Sequence, residues 1–152
     1  SVKINTNSMA STDNLMAFSG YRNQREKLIK MGIQIFEFKP APAITKHLVR
    51  SEMNQQSKPP IFAIHAKTMV IDHKIVYIGT FNFDPRSENL NTEVGVIVNN
   101  TPLANQVQKT ILLDMHPENS WNAKTDKPDR FASFKKRSRV TALQLTPIKP
   151  LL

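Results

Sequence analysis

Residues 66–71 and 75–79 are two apolar runs of strand length, separated only by Asp72-His73-Lys74. So short a gap permits an antiparallel hairpin and excludes a crossover connection, which takes a dozen residues or more. The hairpin constrains its flanks as well. His65 and Lys67 stand two residues apart where the first strand begins, and side chains alternate across a strand, so both are expected on one side. An imidazole beside a fixed ammonium suits attack on a phosphate ester. Taken alone, His65 would read as a structural histidine of the hairpin. It is followed, however, by Asp72, by Gly79-Thr80-Phe81-Asn82, by Asp84-Pro85-Arg86-Ser87 and by Asn91-Thr92-Glu93.

Around this segment the chain reads as alternating strands and helices. Residues 1–6 alternate apolar and polar side chains and predict a strand. A strand that opens at the first residue leads to the expectation that the chain starts inside a larger protein. Ser11, Thr12 and Asp13 offer N-caps for a helix running to about Met31, with Gly32 as its stop. A second strand follows over 33–38, and the strand–helix–strand order implies a parallel pair. Residues 39–60, rich in Pro, Ser, Gln and Asn, predict a long connection with one short helix near 45–52. The stretch 93–98 is apolar on both faces and predicts a central strand. Thr101 is expected to cap a helix that ends near Asp114, before Pro117. Beyond Trp121 periodicity fades, returning weakly at 140–145. The expected fold class is α/β: a mixed, mostly parallel sheet flanked by helices.

Composition narrows the partners. No run of about eighteen apolar residues predicts a transmembrane helix, and no apolar leader is visible. The chain has no cysteine, which excludes disulfides and thiolate chemistry, and no His/carboxylate cluster with metal-ligand spacing. His47 and His116 stand isolated and read as surface or packing residues; His73 falls in the hairpin turn. Net charge is +9, from 21 basic and 12 acidic residues, which favours anionic partners. Eight of the 21 basic residues lie between Lys124 and Lys149. This segment reads either as a solvated tail or as a patch for an anionic membrane surface.

The spacing His65-x-Lys67-x4-Asp72-x6-Gly79-Thr80-x-Asn82 resembles the signature of the phospholipase D superfamily. Thr6-Asn7-Ser8-Met9-Ala10-Ser11-Thr12-Asp13, Phe83-Asp84-Pro85-Arg86-Ser87 and Leu90-Asn91-Thr92-Glu93 resemble its bacterial cardiolipin synthase branch, close to the type C members, and residues 143–152 do so more weakly. Between Met115 and Pro128 the chain is shorter than that pattern. The resemblance implies a phospholipase D-like α-β-α half over residues 1–115, corresponding to the C-terminal half of an enzyme whose N-terminal half carries a first motif. Residues 116–152 are then a basic, partly ordered C-terminal segment.

The resemblance also implies roles. His65 is the nucleophile that becomes a phosphohistidine. Lys67 and Asn82 bind phosphate oxygens, and Glu93 orients a motif histidine. Asp72, Gly79, Thr80 and Ser87 support the site: Asp72 braces the motif, Gly79 turns the backbone tightly, Thr80 keeps the hydroxyl of the commoner serine, and Ser87 adds a polar group on the substrate side. No metal or cofactor is implied. The implied reaction is phosphatidyl transfer or phospholipid hydrolysis on phosphatidylglycerol or a similar phospholipid, at the cytoplasmic side of a bacterial inner membrane. The chemistry needs two histidines across the phosphate, and the chain has one motif. The second must come from the missing half or from a second copy of the chain. A homodimeric single-motif nuclease or phosphodiesterase is therefore the alternative, and an inactive half that binds anionic lipid is the third. Nucleic acid is the weaker candidate partner.

Overall fold

The computed structural model describes residues 1–47, 61–82 and 85–145. It is a mixed α/β structure in two compact units, one of Ser1–Ile64 with Asp114–Leu145, the other including His65–Leu113.

In the first unit, β1 (Lys3–Asn7), α1 (Leu15–Lys30) and β2 (Gln34–Phe38) form the expected strand–helix–strand, with β1 and β2 parallel, Lys3 opposite Gln34 and Asn7 opposite Phe38. The N-cap of α1 is Asn14, whose Oδ1 accepts from the Ala17 N–H at 3.0 Å. The hydroxyls expected to cap it are used one turn earlier. Ser8 and Ser11, both buried, bond each other and their own backbone, which closes the link between β1 and α1. Gly32, at φ +88°, ends α1 as expected. A 3₁₀ turn covers Ala43–His47, and the rest of the short helix expected near 45–52 lies outside the described residues.

The same unit takes in residues well past 115. A short strand β6 (Ser120–Asn122) pairs antiparallel with β2, placing Trp121 opposite Glu37. A 3₁₀ turn (Pro128–Phe131) then leads to α4 (Phe134–Leu145), which packs on α1. Met9, Phe18, Ala132 and Val140 form the buried core there, with Phe18 and Tyr21 edge to face at 5.5 Å. Lys136 turns inward beside Val140 and donates to the carbonyls of Ala10 and Thr12 at 2.8 and 2.7 Å.

A charged network crosses this core. Glu37, fully buried, accepts from the Tyr21 hydroxyl at 2.9 Å and from Arg25 at 2.8 Å. Arg25 also makes two bonds to Asp129, at 2.9 and 2.8 Å, and Arg22 adds a third at 2.8 Å. Burial raises the Glu37 pKa and outweighs Arg25 and Tyr21, which act against it. For Asp129 burial acts upward too, but the bonds from Arg25 and Arg22 prevail and hold it below the usual carboxylate range.

In the second unit, β3 (Thr68–Ile71), β4 (Ile75–Gly79) and β5 (Gly95–Asn99) form an antiparallel meander in the order β3-β4-β5. Asp72 and His73 both have positive φ, +49° and +56°, with Lys74 N–H bonded to Ile71 C=O at 3.1 Å. This is the mirror-image turn that matches the twist of hairpin strands. Among the described residues β1–β2 is the parallel pairing and the others are antiparallel. The strand expected at 93–98 spans 95–99 and, among the described residues, lies at a sheet edge rather than the centre. Val96 and Ile97 are 61% and 73% exposed and Val98 is half-buried, so the run is only partly covered. The next helix, α3 (Thr101–Asp114), is capped by Asn100, whose Oδ1 accepts from Leu103 N–H at 2.9 Å, and not by Thr101.

Candidate active site

All the residues singled out for chemistry lie in the second unit. The site is built where β4 and β5 begin to part. Gly79 N–H donates to Lys67 C=O at 3.0 Å, so the ladder continues one residue before β3. Gly79 faces Gly95 across the pair. Directly paired residues share a face, which puts Lys67, Met69, Tyr77, Gly79 and Gly95 on one side of the meander.

Tyr77 lies across the two glycines. A methyl group on Gly95 would fall on the Tyr77 ring, and one on Gly79 would also come 2.7 Å from the Val94 carbonyl. Gly79 is thus required for space. It is a paired strand residue without positive φ, not the tight turn expected of it. The ring floors a groove of about 320 Å³ lined by Met69, Tyr77, Phe81, Glu93, Val94 and Gly95.

Thr80 and Glu93 close the end of this groove. Thr80 N–H donates to Val94 C=O at 2.9 Å, and Val94 N–H donates back to the Thr80 hydroxyl at 3.0 Å. That hydroxyl donates in turn to Glu93 Oε2 at 2.5 Å. The carboxyl is held below its ordinary pKa, first by Thr80, then by the side chains of Ser87 and Asn91 and the charge of Lys67. Ser87 is 4% exposed on the short helix α2 (Pro85–Asn89). The structure therefore gathers Lys67, Thr80, Ser87 and Glu93.

His65 and Asn82 flank that group. His65 is exposed, and the Lys67 ammonium donates to its carbonyl at 3.2 Å. Among the described residues the Glu93 carboxylate accepts from the Thr80 hydroxyl, and no hydrogen bond or ion pair joins it to His65. Asn82 is exposed two residues past Thr80. Asp72 lies at the far end of β3, roughly 16 Å of extended chain from Lys67. It shapes the hairpin turn rather than bracing the cluster. His73 in the same turn is exposed and meets Gln108 at 2.6 Å. Sequence reading missed Tyr77 and Gly95, and it named Asn91 without giving it a role. The first two carried a signal in the hairpin register, which sets an aromatic beside two facing glycines.

Comparison with known proteins bears on residues 1–115, which match the family described as cardiolipin synthase, PLD-like domain. The cardiolipin synthase C of Escherichia coli (strain K12) is 32% identical over 169 aligned positions, covering 99% of this chain and 35% of that protein. The major cardiolipin synthase of Bacillus subtilis (strain 168) is 40% identical over 52 residues, 34% of this chain and 11% of its own length. A Helicobacter pylori (strain J99) protein without an assigned function is 32% identical over 125 residues, 80% of this chain and 22% of its own. The chain thus spans about a third or less of the length of these relatives. No solved structure matches.

Proposed function

This chain belongs to the phospholipase D-like family of the cardiolipin synthases, and from that membership we propose that it supplies the C-terminal, second-motif half of a phosphatidyltransferase. In this reading the imidazole of His65 attacks the phosphorus of a phosphatidyl donor. The P–O bond to the donor's leaving alcohol breaks, and that oxygen takes a proton from a histidine supplied by the missing half. The phosphatidyl group is then carried on His65 through a P–N bond. The hydroxyl of phosphatidylglycerol resolves it to cardiolipin; water resolves it to phosphatidic acid. Lys67 and Asn82 hold the non-bridging oxygens, and Lys67 offsets the charge that develops on them. Ser87 stands on the substrate side as a polar support. The enzyme works at the cytoplasmic side of a bacterial inner membrane; among the described residues no helix is long and apolar enough to cross a bilayer.

The observation that carries this reading is the Lys67–Glu93–Thr80 cluster beside His65. Glu93 lines the groove, its carboxyl is held low by Thr80 and by the charge of Lys67, and the Lys67 ammonium donates to the backbone carbonyl of the exposed His65 two residues before it. The test is to trap the intermediate. A full-length protein incubated with short-chain phosphatidylglycerol and quenched in base should carry a phosphatidyl adduct on the peptide containing His65. Turnover with no adduct there would refute the assignment. The single motif of this chain also supports a second reading, a homodimer that shares one site as a phosphodiesterase. Light scattering decides between them: a two-fold dimer of the 152-residue chain favours the second, a monomer the first.

A further inference from the structure

The first unit presents a face that the proposed chemistry does not use. Trp121 and Phe131 stack at 4.5 Å with their planes 5° apart. Lys39 lies 5.7 Å from the Trp121 ring, held by its bond to the Pro117 carbonyl, and the Arg130 guanidinium sits 4.6 Å over Phe131. The four side chains make a ladder with a cation at each end. Its rings are not core: Phe131 is 47% exposed, and the next aromatic, Phe134, is 78% exposed at the start of α4.

The helix that follows Phe131 by two residues exposes further apolar and basic side chains. Lys136 and Val140 point inward, so the opposite side of α4 carries Phe134 and, three turns on, Leu145, which is 83% exposed. Lys135, Arg137 and Arg139 are exposed along the same helix. Of the nearby carboxylates only Asp129 is paired with cations of the interior; Asp126 and Glu118 keep their charge and are outnumbered by the basic residues of this region. Asp129 is engaged inward by Arg22 and Arg25, and Asp126 accepts from Asn122 N–H and Thr125. Glu118 is exposed on the preceding turn, beside His116.

We propose that this aromatic and basic face docks on the surface of a bilayer containing anionic phospholipid. The rings of Phe131, Phe134 and Trp121 enter at headgroup level, while Lys39, Arg130, Lys135 and Arg137 meet lipid phosphates. Charge complementarity selects the occupant, and exposed aromatics interleaved with cations suit the water–lipid boundary. The proposal rests on the phosphatidyl-transfer reading, whose substrate resides in that bilayer.

Trp121 is the sole tryptophan, so the chain carries its own probe. The 152-residue protein is mixed with vesicles of phosphatidylcholine, or of equal parts phosphatidylcholine and phosphatidylglycerol, with and without brominated acyl chains. The expected result is a blue shift and bromine quenching of Trp121 only where phosphatidylglycerol is present, weakened by salt to a residual apolar part. Arg130→Gln and Lys135→Gln should each weaken binding roughly fivefold, and Phe134→Ala should weaken the salt-resistant part. Absence of binding, equal binding to pure phosphatidylcholine, or co-sedimentation without a Trp121 response would overturn the proposal. So would a Trp121 response to a single-stranded oligonucleotide with none to vesicles. His65→Ala should bind vesicles like the parent. An adduct on His65 from soluble short-chain lipid with no vesicle response would sink the docking face alone, while the converse would sink the catalytic reading alone.

Discussion

Arg25→Met should be among the most damaging single changes in the first unit, and its cost should depend on pH. Arg25 is 11% exposed and links a fully buried Glu37 to Asp129. Methionine keeps most of the aliphatic volume and the helix propensity, so the loss is electrostatic. Glu37 keeps only the Tyr21 hydroxyl of its two bonds, and Asp129 keeps only Arg22 of its three. Removing one member of a buried ion pair costs about 3–5 kcal/mol, because the remaining charge is left desolvated.

Protonation of Glu37 offsets part of that cost. Burial already raises its pKa, with Arg25 the main influence acting downward. Without Arg25 the pKa rises further. A carboxyl whose folded pKa lies above its unfolded value contributes stability that is present below the unfolded pKa and lost as pH rises through the folded one. The variant should therefore be destabilised by about 4 kcal/mol at mildly alkaline pH and by clearly less near pH 5. Urea unfolding followed by Trp121 emission measures this in the right place, since Trp121 lies opposite Glu37 on β6. Glu37→Gln added to Arg25→Met should recover at least about 1 kcal/mol by a double-mutant cycle. A pH-independent loss below about 1 kcal/mol would refute the claim that this network is buried and coupled.

Three further outcomes are expected in the second unit. Gly79→Ala should force the β4–β5 pair apart at Val94 and cost about 1–3 kcal/mol, as overpacking does; faster amide exchange at Thr80 reports it, and unchanged protection would count against the Tyr77–glycine packing. Thr80→Val removes the bond that most lowers the Glu93 pKa, so in an NMR titration the carboxyl should move up toward its ordinary value; an unmoved titration would mean that another group holds it. His65→Ala should abolish turnover in the full-length enzyme while changing stability by no more than about 0.5 kcal/mol, because the side chain is exposed; retained turnover would remove His65 from the mechanism.

The hairpin was legible because two apolar runs and a three-residue gap leave one local solution. The strand–helix–strand was legible for the same local reason. The edge position of β5 was not, since an apolar run on both faces states what a strand could bury and not whether a neighbour arrives to cover it. The helix α4 was hidden because one of its inward positions is a lysine. Lys136 satisfies two carbonyls of a loop more than a hundred residues earlier, and no periodicity count scores that as core. Glu37 falls in a stretch that reads simply as a strand, while its partners Arg25 and Asp129 are set by tertiary packing. In the site, residue types and spacing were legible as a family pattern. The contacts were less so: Glu93 faces Thr80 and Lys67, and Asp72 serves a turn.

The first unit is discontinuous in sequence, with residues 65–113 inserted between its two parts. During synthesis the meander β3-β4-β5 is complete as soon as it emerges, since its pairings are local. The other unit must wait with Met9 and Phe18 uncovered until Ala132 and Val140 have been made. Its assembly then has to close a large loop, which is slow and leaves apolar surface open to aggregation in the interval. A ribosome stalled before α4 should therefore hold a chain that is half native: protected against proteolysis in the meander and digestible in β1, α1 and β2.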